Sequence, residues 1–341
     1  MLKRILVPLD GSPRAERAIP VAARVAQASG GSIILVRVVT TSVEFWPSPV
    51  PQPALAQVAI DADIASAVEY LEAITQSTSL ANIQTETVVL FGPTAPTILT
   101  VARSYHADII ILCSHGYTGM KRWVMGSVAQ KVAQYASLPV LVLRERGSIP
   151  AAPHLDATRP LRVLVPLDGS SQAKAAIEPA ASLIVALAAP ASGALHLLRV
   201  VEPSMTESVE EGQHHLESYL HKAKEYLRAT ADHLREGLVA PTVAAHKLTV
   251  TWSVAVDVDV AGGVIRVAEN GEDAEGAGVF GGCDLIALAT HGRGGMQRWA
   301  MGSVTERVLG ATDLPILIIR PPDTTDKQGI HDKSTEAVLN A

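Results

Sequence analysis

The chain has 341 residues, of which 48% are hydrophobic and 18% are charged, so it has the length of two ordinary domains and the composition of a globular protein. Only 4% of the residues are aromatic, which predicts an aliphatic core of the kind found in parallel sheets covered by helices. The net charge of -6 argues against a general nucleic-acid-binding protein, because such a protein needs basic surface to displace counterions from phosphates.

Neither the N-terminus nor any internal run predicts a membrane segment. The opening MLKRILVPLDG reaches Pro8 after an apolar run too short for a signal peptide. The most apolar helical stretch, residues 181–191, is interrupted by Pro190 and is too short to span a bilayer. The two cysteines, Cys113 and Cys283, form no zinc-binding or redox motif, which fits a reducing compartment. We therefore expect a cytoplasmic protein.

Short β-rich runs alternate with helical patterns through the first half of the chain. The predicted strands cover 4–9, 32–39, 84–91, 108–113 and 139–144, and the predicted helices cover 13–28, 54–78, 94–105 and 127–136. This alternation predicts a parallel sheet with helices on both faces. Five strands and four helices fit a flavodoxin-like, Rossmann-like doubly wound α/β fold with strand order 3-2-1-4-5. In such a sheet, ligands bind beyond the carboxyl ends of the strands.

The second half of the chain repeats the first. RILVPLDGS at 4–12 returns as RVLVPLDGS at 162–170, and LPVLVLR at 138–144 returns as LPILIIR at 314–320. HGYTGMKRWVMGSV at 115–128 returns as HGRGGMQRWAMGSV at 291–304, with ten of fourteen positions identical. Three matched blocks in one order predict a tandem duplication. We expect domains at 1–145 and 161–320, a proline-containing linker at 146–160 and a flexible polar tail at 321–341.

The two copies are predicted to differ in two places. The second helix of the second copy, about 207–236, is longer than its counterpart. The run NGEDAEGAGVFGG at 270–282, rich in glycine and acidic residues, predicts a mobile loop added to one copy. A tolerated insertion explains this loop, and a lid or partner site is the alternative.

The turn after the first strand is the first candidate site. It reads Pro8-Leu9-Asp10-Gly11-Ser12 and returns as Pro166-Leu167-Asp168-Gly169-Ser170. Gly11 permits a tight turn, and Ser12 followed by proline predicts a helix N-cap. The carboxylates of Asp10 and Asp168 are expected to point into the crevice, where a ribose or a metal ion would be their partner.

The long loop after the fourth strand is the second candidate site. It runs from His115-Gly116 to Gly126-Ser127, and from His291-Gly292 to Gly302-Ser303. Ser127 and Ser303 each begin a capping-box pattern at the start of a helix. A capped helix does not explain glycines at both ends of the loop, whereas a phosphate cradle does, because glycines let the backbone approach a ligand closely. The two histidines either orient the loop or contact the ligand.

Several common catalytic patterns are absent from the sequence. It contains no P-loop, no complete dinucleotide fingerprint and no nucleophile elbow. Neither half assembles an evident nucleophile, base and orienting group. We therefore predict no catalytic residue.

These motifs resemble the universal stress protein family over roughly residues 1–145 and 160–320. The second part of the family's ATP-binding pattern, Gly-x2-Gly-x9-Gly-[Ser/Thr], is matched twice. Gly116 is followed after nine residues by Gly126-Ser127, and Gly292 is followed after nine residues by Gly302-Ser303. The first glycine of the pattern is replaced by a small residue in both copies, Cys113 and Ala289.

The resemblance implies two tandem domains of the adenine nucleotide alpha hydrolase-like fold, each with an ATP site. The glycines and the hydroxyl residue of the loop would hold the triphosphate. The aspartate after the first strand would lie near the ribose and any accompanying Mg²⁺, and a valine ending the second strand would hold adenine through its backbone. The implied residues are Pro8, Leu9, Asp10, Val38, Val39, Cys113, His115, Gly116, Gly126, Ser127 and Val128, and Pro166, Leu167, Asp168, Val200 or Val201, Ala289, His291, Gly292, Gly302, Ser303, Val304 and Thr305.

The resemblance also implies an intramolecular pseudo-dimer in which the last strands, 139–144 and 315–320, pair edge to edge. Dimerisation of the whole chain stays open, as does an unknown protein partner. The function implied is a nucleotide-dependent stress regulator with little or no turnover. Two alternatives are a slow ATPase or self-phosphorylating enzyme, and a scaffold that binds no nucleotide.

Overall fold

A computed structural model describes residues 2–40, 53–114, 125–144, 159–203, 209–275, 277–290 and 301–321, and for 53–56 and 209–214 it describes the backbone alone. Most of the predicted linker and nearly all of the predicted tail lie outside the described residues. Among the residues described, no helix is both long enough and apolar enough to cross a membrane.

The first half follows the predicted order of elements. Its strands are β1 (Arg4–Pro8), β2 (Ser32–Val39), β3 (Thr85–Phe91), β4 (Ile109–Cys113) and β5 (Val140–Leu143), and its helices are α1 (Pro13–Glu16), α2 (Ala18–Ser29), α3 (Pro53–Thr75), α4 (Thr94–Ser104) and α5 (Ser127–Tyr135). A short 3-10 helix at Thr78–Leu80 follows α3.

The second half repeats these elements. Its strands are β6 (Leu161–Pro166), β7 (Gly193–Val201), β8 (Thr249–Val256), β9 (Glu272–Ala274), β10 (Gly278–Phe280), β11 (Leu285–Ala289) and β12 (Ile316–Ile319), and its helices are α6 (Ser171–Lys174), α7 (Ile177–Ala188), α8 (Val209–Arg235), α9 (Pro241–Ala245), α10 (Val260–Asn270) and α11 (Ser303–Ala311). With 27 residues, α8 exceeds the 23 of α3, as predicted.

The helical pattern predicted over 13–28 forms two helices, because a turn at Arg17 separates α1 from α2. Pro20 accounts for the break. It has no N–H to donate to the carbonyl of residue 16, and its ring would clash with that carbonyl in a continuous helix. Pro179, like Pro20, is the third residue of its helix, and the second half likewise breaks between α6 and α7.

Ten strands form one sheet with the order β3-β2-β1-β4-β5-β12-β11-β6-β7-β8. Each half contributes a parallel set in the predicted 3-2-1-4-5 order. The two sets meet where β5 and β12 pair antiparallel, with Leu141 opposite Leu317. The predicted pairing of the last strands is therefore present within one chain.

The core consists of two apolar layers, one on each face of the sheet, and both layers run through the two halves. Ile5, Leu141 and Leu317 belong to one layer, and Leu6 and Ile316 belong to the other. The alternation follows from the strand geometry, because successive side chains point to opposite faces. The halves consequently share their buried surface on both sides of the β5–β12 junction.

The predicted mobile loop at 270–282 is instead a packed β-hairpin of β9 and β10, with residue 276 outside the described part. Its inward side chains, Ala274 and Phe280, are buried. The Glu275 N–H donates to the Trp252 carbonyl at 3.0 Å, which attaches the hairpin to the outer strand β8. Gly271, at φ +79°, permits the entry turn, since a Cβ there would lie 1.7 Å from the Phe280 carbonyl oxygen.

Candidate functional site

The turn after β1 is built in the same way as the turn after β6. Gly11 and Gly169 adopt φ of +87° and +89°, a conformation that glycine reaches without strain. The Ser12 N–H and Oγ donate to Asp10 Oδ1 at 2.9 and 2.6 Å, and Ser170 makes the matching bonds to Asp168 at 2.8 and 2.5 Å. Each aspartate is thus held at the carboxyl edge of the sheet by the turn that follows it.

The same serines cap the first helix of each half, as predicted for Ser12. Ser12 Oγ accepts from the Ala15 N–H at 3.2 Å, and Ser170 Oγ accepts from the Ala173 N–H at 3.1 Å. One hydroxyl therefore links the aspartate of the turn to the start of a helix. A carboxylate fixed in this way is positioned before any ligand arrives.

The predicted capping boxes at Ser127 and Ser303 are wrong. The N-cap residues are Gly126 and Gly302, with extended ψ of 145° and 144°, and each serine is already the first helical residue. A glycine has no side chain with which to cap the helix. The reason is local geometry: the N-cap must be non-helical, and the chain leaves the extended conformation one residue too early for the serine.

The N–H of each N-cap glycine is already engaged by the preceding strand end. Gly126 donates to the Ser114 carbonyl at 2.8 Å, and Gly302 donates to the Thr290 carbonyl at 2.7 Å. The first intrahelical bonds to these glycines come from Gln130 and Glu306, both at 2.9 Å. The three amides between, 127–129 or 303–305, have no intrahelical acceptor and form a partial positive charge suited to an anion.

Side chains of the loop anchors fix these helix starts to the sheet. The buried Thr305 hydroxyl donates to the Ala289 carbonyl at 2.9 Å, so it joins α11 to the end of β11. In the first half, the Cys113 thiol lies 3.9 Å from the Ala15 carbonyl, and burial raises the pKa of this thiol to about 12. Cys113 is therefore a neutral packing residue directed toward α1.

A cavity of about 1110 Å³ opens at the carboxyl edge of the second half. This volume lies slightly above the usual range for small-molecule and cofactor sites, about 300–1,000 Å³. Every described residue predicted for this site lines the cavity: Pro166, Leu167, Asp168, Val200, Val201, Ala289, Gly302, Ser303, Val304 and Thr305. His291 and Gly292 lie outside the described residues.

The first half places its predicted residues on the corresponding elements. Pro8 ends β1 and is followed by Leu9 and Asp10, Val38 and Val39 end β2, and Cys113 ends β4. Gly126 is the N-cap of α5, which begins with Ser127 and Val128. His115 and Gly116 lie outside the described residues. The described elements of both halves thus bring the two predicted motifs to the same edge of the sheet.

Sequence analysis missed one wall of the cavity, which α8 provides through Tyr219, Lys222 and Tyr226. Arg199 of β7 also lines the cavity, and its guanidinium carbon lies 5.4 Å from the centre of the Tyr226 ring. A signal for this wall exists in the duplicated chain. Glu-Tyr-Leu occurs at 69–71 and again at 225–227, and an arginine precedes the two valines that end β2 and β7.

The first half contains the matching arginine–tyrosine pair. The Arg37 guanidinium carbon lies 4.9 Å from the centre of the Tyr70 ring. The Tyr70 hydroxyl donates to Glu16 Oε1 at 2.9 Å, and burial together with this carboxylate raises the pKa of Tyr70. The duplication therefore preserves this stacking contact although sequence analysis did not single it out.

Metal binding by protein side chains alone has no support in the described part of the chain. Within it, no three His, Cys, Asp or Glu residues lie close enough together to hold a metal ion. A magnesium ion at Asp10 or Asp168 would need most of its ligands from phosphate and water, as is usual for Mg²⁺ bound with nucleotides.

The chain is a tandem α/β protein whose two doubly wound units share one sheet. Each unit has an aspartate turn beside a helix with a glycine N-cap, which defines a ligand site at the carboxyl ends of the strands. The chain belongs to the universal stress protein family, whose sequence profile matches residues 1–144 and 161–320. It is 25% identical to a universal stress protein of Mycolicibacterium smegmatis over 331 residues, covering 93% of this chain and 97% of the relative.

Two further comparisons agree with the duplication and the fold. A universal stress protein of Thermus aquaticus is 30% identical over 146 residues, which covers 42% of this chain and 100% of the relative. The crystal structure of a universal stress protein from Archaeoglobus fulgidus superimposes with a TM-score of 0.60 at 17% identity. That match covers 95% of this chain and 98% of the other, so the likeness in fold extends through both halves.

Proposed function

We propose that this protein binds ATP at the carboxyl edge of each half and acts as a nucleotide-dependent regulator of the stress response, with little or no turnover. One observation carries the proposal. The amide groups at the start of α11 and the turn that holds Asp168 face a single cavity of about 1110 Å³. A phosphate group placed against Ser303 and Val304 would meet N–H groups that the helix itself leaves without acceptors.

The remaining residues fit an adenine nucleotide. Val200 and Val201 end β7 in the apolar part of the cavity, where a flat base would be sheltered from water. Asp168 lies beside the helix start and would meet the ribose or a phosphate-bound Mg²⁺. The corresponding residues in the first half are Val38, Val39, Asp10 and Ser127.

The chemistry of the described cavity wall favours binding over turnover. Its acidic side chains are Asp168 and Glu202, and the described wall contains no histidine or cysteine. Asp168 Oδ1 already accepts two hydrogen bonds from Ser170, so the turn itself engages this oxygen. Efficient proton transfer at neutral pH requires a group whose pKa lies near 7.

Calorimetry with Mg-ATP tests the proposal on the wild type and on two variants, Ser127→Asp and Ser303→Asp. An aspartate at the first helical position is favourable to the helix, yet its carboxylate would repel a phosphate there. We expect two binding events in the wild type and the loss of one in each variant. Thr78→Asp is the control, because it makes a similar change at an exposed helix start on the opposite edge of the sheet. Absence of binding to the wild type at millimolar ATP would contradict the proposal.

A further inference from the structure

Three basic side chains lie in or beside the cavity of the second half. Lys222 and Arg199 line the cavity, and Lys174 of α6 extends over the Tyr226 ring with its ammonium nitrogen 5.0 Å from the ring centre. Arg199 approaches the same ring at 5.4 Å. Two cations on one aromatic ring are drawn together by its negative faces, which partly offset their mutual repulsion.

The first half has the ring and the arginine but not the lysines. Glu16 stands where the second half has Lys174, and it accepts the hydrogen bond of the Tyr70 hydroxyl at 2.9 Å. When the Glu-Tyr-Leu repeats are aligned, Ser66 stands in place of Lys222. The alignment is supported by burial, because Leu71 and Leu227 of the two repeats are both 0% exposed.

Other exchanges between the halves also change the charge. Asp63 of the first half is replaced by Tyr219, which adds to the difference in the same direction. Arg14 and Arg17 are replaced by Gln172 and Ala175, Gln130 by Glu306 and Thr40 by Glu202, which reduce it. Among the residues that line the cavity, Tyr219 and Lys222 outweigh Glu202, so the lining of the second site is more positive. The change from Glu16 to Lys174 reverses the sign next to the tyrosine that both halves contain.

We infer that Lys222, which lines the cavity, and Lys174, which reaches the cavity-lining ring of Tyr226, form a second phosphoryl subsite in the second half, which the first half lacks. The start of α11 would hold one phosphate, and Lys174 and Lys222 would hold another phosphoryl group of the same nucleotide. The second site therefore prefers nucleotides with several phosphoryl groups over AMP, and the two halves are unequal sites. This inference rests on the proposed nucleotide-binding function.

The test uses full-length protein carrying Ser127→Asp, so that only the second half can bind, and compares it with the same protein carrying Lys174→Glu and Lys222→Ser. The probes are AMP, ATP and adenosine 3′,5′-bisphosphate, measured by calorimetry. We expect the lysine exchanges to weaken ATP or the bisphosphate by about fivefold or more, and AMP by less than about twofold. If only the affinity for ATP falls, the lysines bind a phosphoryl group of the phosphate chain. If only the affinity for the bisphosphate falls, they bind a phosphoryl group on the ribose.

The control is Arg228→Ser, which removes one positive charge from an exposed position of α8 that does not line the cavity. Equal loss of affinity for all three probes, or no loss relative to this control, would overturn the inference while leaving nucleotide binding in place. Binding that disappears with Ser127→Asp and survives Ser303→Asp would also overturn it, because the second half would then bind no nucleotide. Absence of nucleotide binding in the wild type would instead remove the proposed function itself.

Discussion

Arg144 of the first half donates a hydrogen bond from Nε to the backbone carbonyl of Thr312 in the second half, at 3.0 Å. Its Nη2 also donates to the Leu309 carbonyl, so the guanidinium caps the last turn of α11. Burial lowers the pKa of Arg144, but its ordinary value is so high that the side chain stays charged. The contact between the halves is therefore polar as well as apolar, and it acts on the helix whose start faces the cavity.

Arg144→Leu is expected to lower the free energy of unfolding by about 2 kcal/mol, because two carbonyls lose a charged donor in a partly buried place. Urea denaturation measures the change. Arg228→Leu, on an exposed face of α8, is the matched control and should change stability by less than about 0.5 kcal/mol. Equal effects of the two substitutions would show that the cross-half contact adds nothing.

Phe280→Ala is expected to destabilise the protein by about 3 kcal/mol, since it removes the buried side chain of the hairpin. The Phe280 ring lies 4.2 Å from the His196 ring, centre to centre, and 4.6 Å from the Arg162 guanidinium carbon. Val279→Ala, one residue away and 83% exposed, should be nearly neutral in the same thermal or urea experiment. If both variants were neutral, the hairpin would not be packed against the sheet as described.

The pH dependence of stability is expected to report on His196. Burial, with a smaller effect of Arg162, lowers the pKa of this histidine to about 3, and its ring nitrogens contact the hydroxyls of Thr251 and Ser253. Between the unfolded value of about 6.5 and the folded value, only the unfolded chain binds the proton, so stability is present above pH 6.5 and falls as the pH decreases. The loss from this group between pH 7 and 5 is about 2 kcal/mol.

His196→Ile tests this dependence, because Ile34 occupies the matching position of the first half. The variant leaves two hydroxyls without the imidazole and should be less stable than the wild type at pH 7. Its denaturation midpoint should nevertheless change less between pH 7 and 5. Parallel curves for the two proteins would rule out His196 as the source.

The two serine types of the site are expected to differ in their contribution to stability. Ser170→Ala removes a helix cap and a donor to Asp168, and should cost about 1 kcal/mol. Ser303→Ala should change stability by less than about 0.5 kcal/mol, since Gly302 and not Ser303 is the N-cap. Thermal unfolding measures both changes in stability. A large loss of stability for Ser303→Ala would show that Ser303 caps the helix after all.

Much of the site follows from the sequence because it lies in contiguous segments. The Asp-Gly-Ser turn, the glycines before α5 and α11 and the edge of the sheet on which they meet were all predicted from repeated motifs and strand–helix alternation. The helix break before Pro20 could have been read from the same sequence, since proline acts on the residue four positions earlier. The sequence does not predict that Gly302, and not Ser303, is the N-cap of α11. This difference of one residue depends on the backbone conformation just before the helix.

The sequence by itself determined the duplication and the alternation of strands and helices in each half, since repeated blocks and periodic burial are local properties of the chain. The pairing of the last strands was implied by the family resemblance, and the sheet confirms it. The tertiary structure decided which side chains face one another across the crevice. Arg199 and Tyr226 are 27 positions apart and meet only because β7 and α8 pack together. The hairpin at 272–280 likewise became a packed element through contacts with β8 and His196. Such contacts depend on the placement of whole elements, which local patterns do not encode.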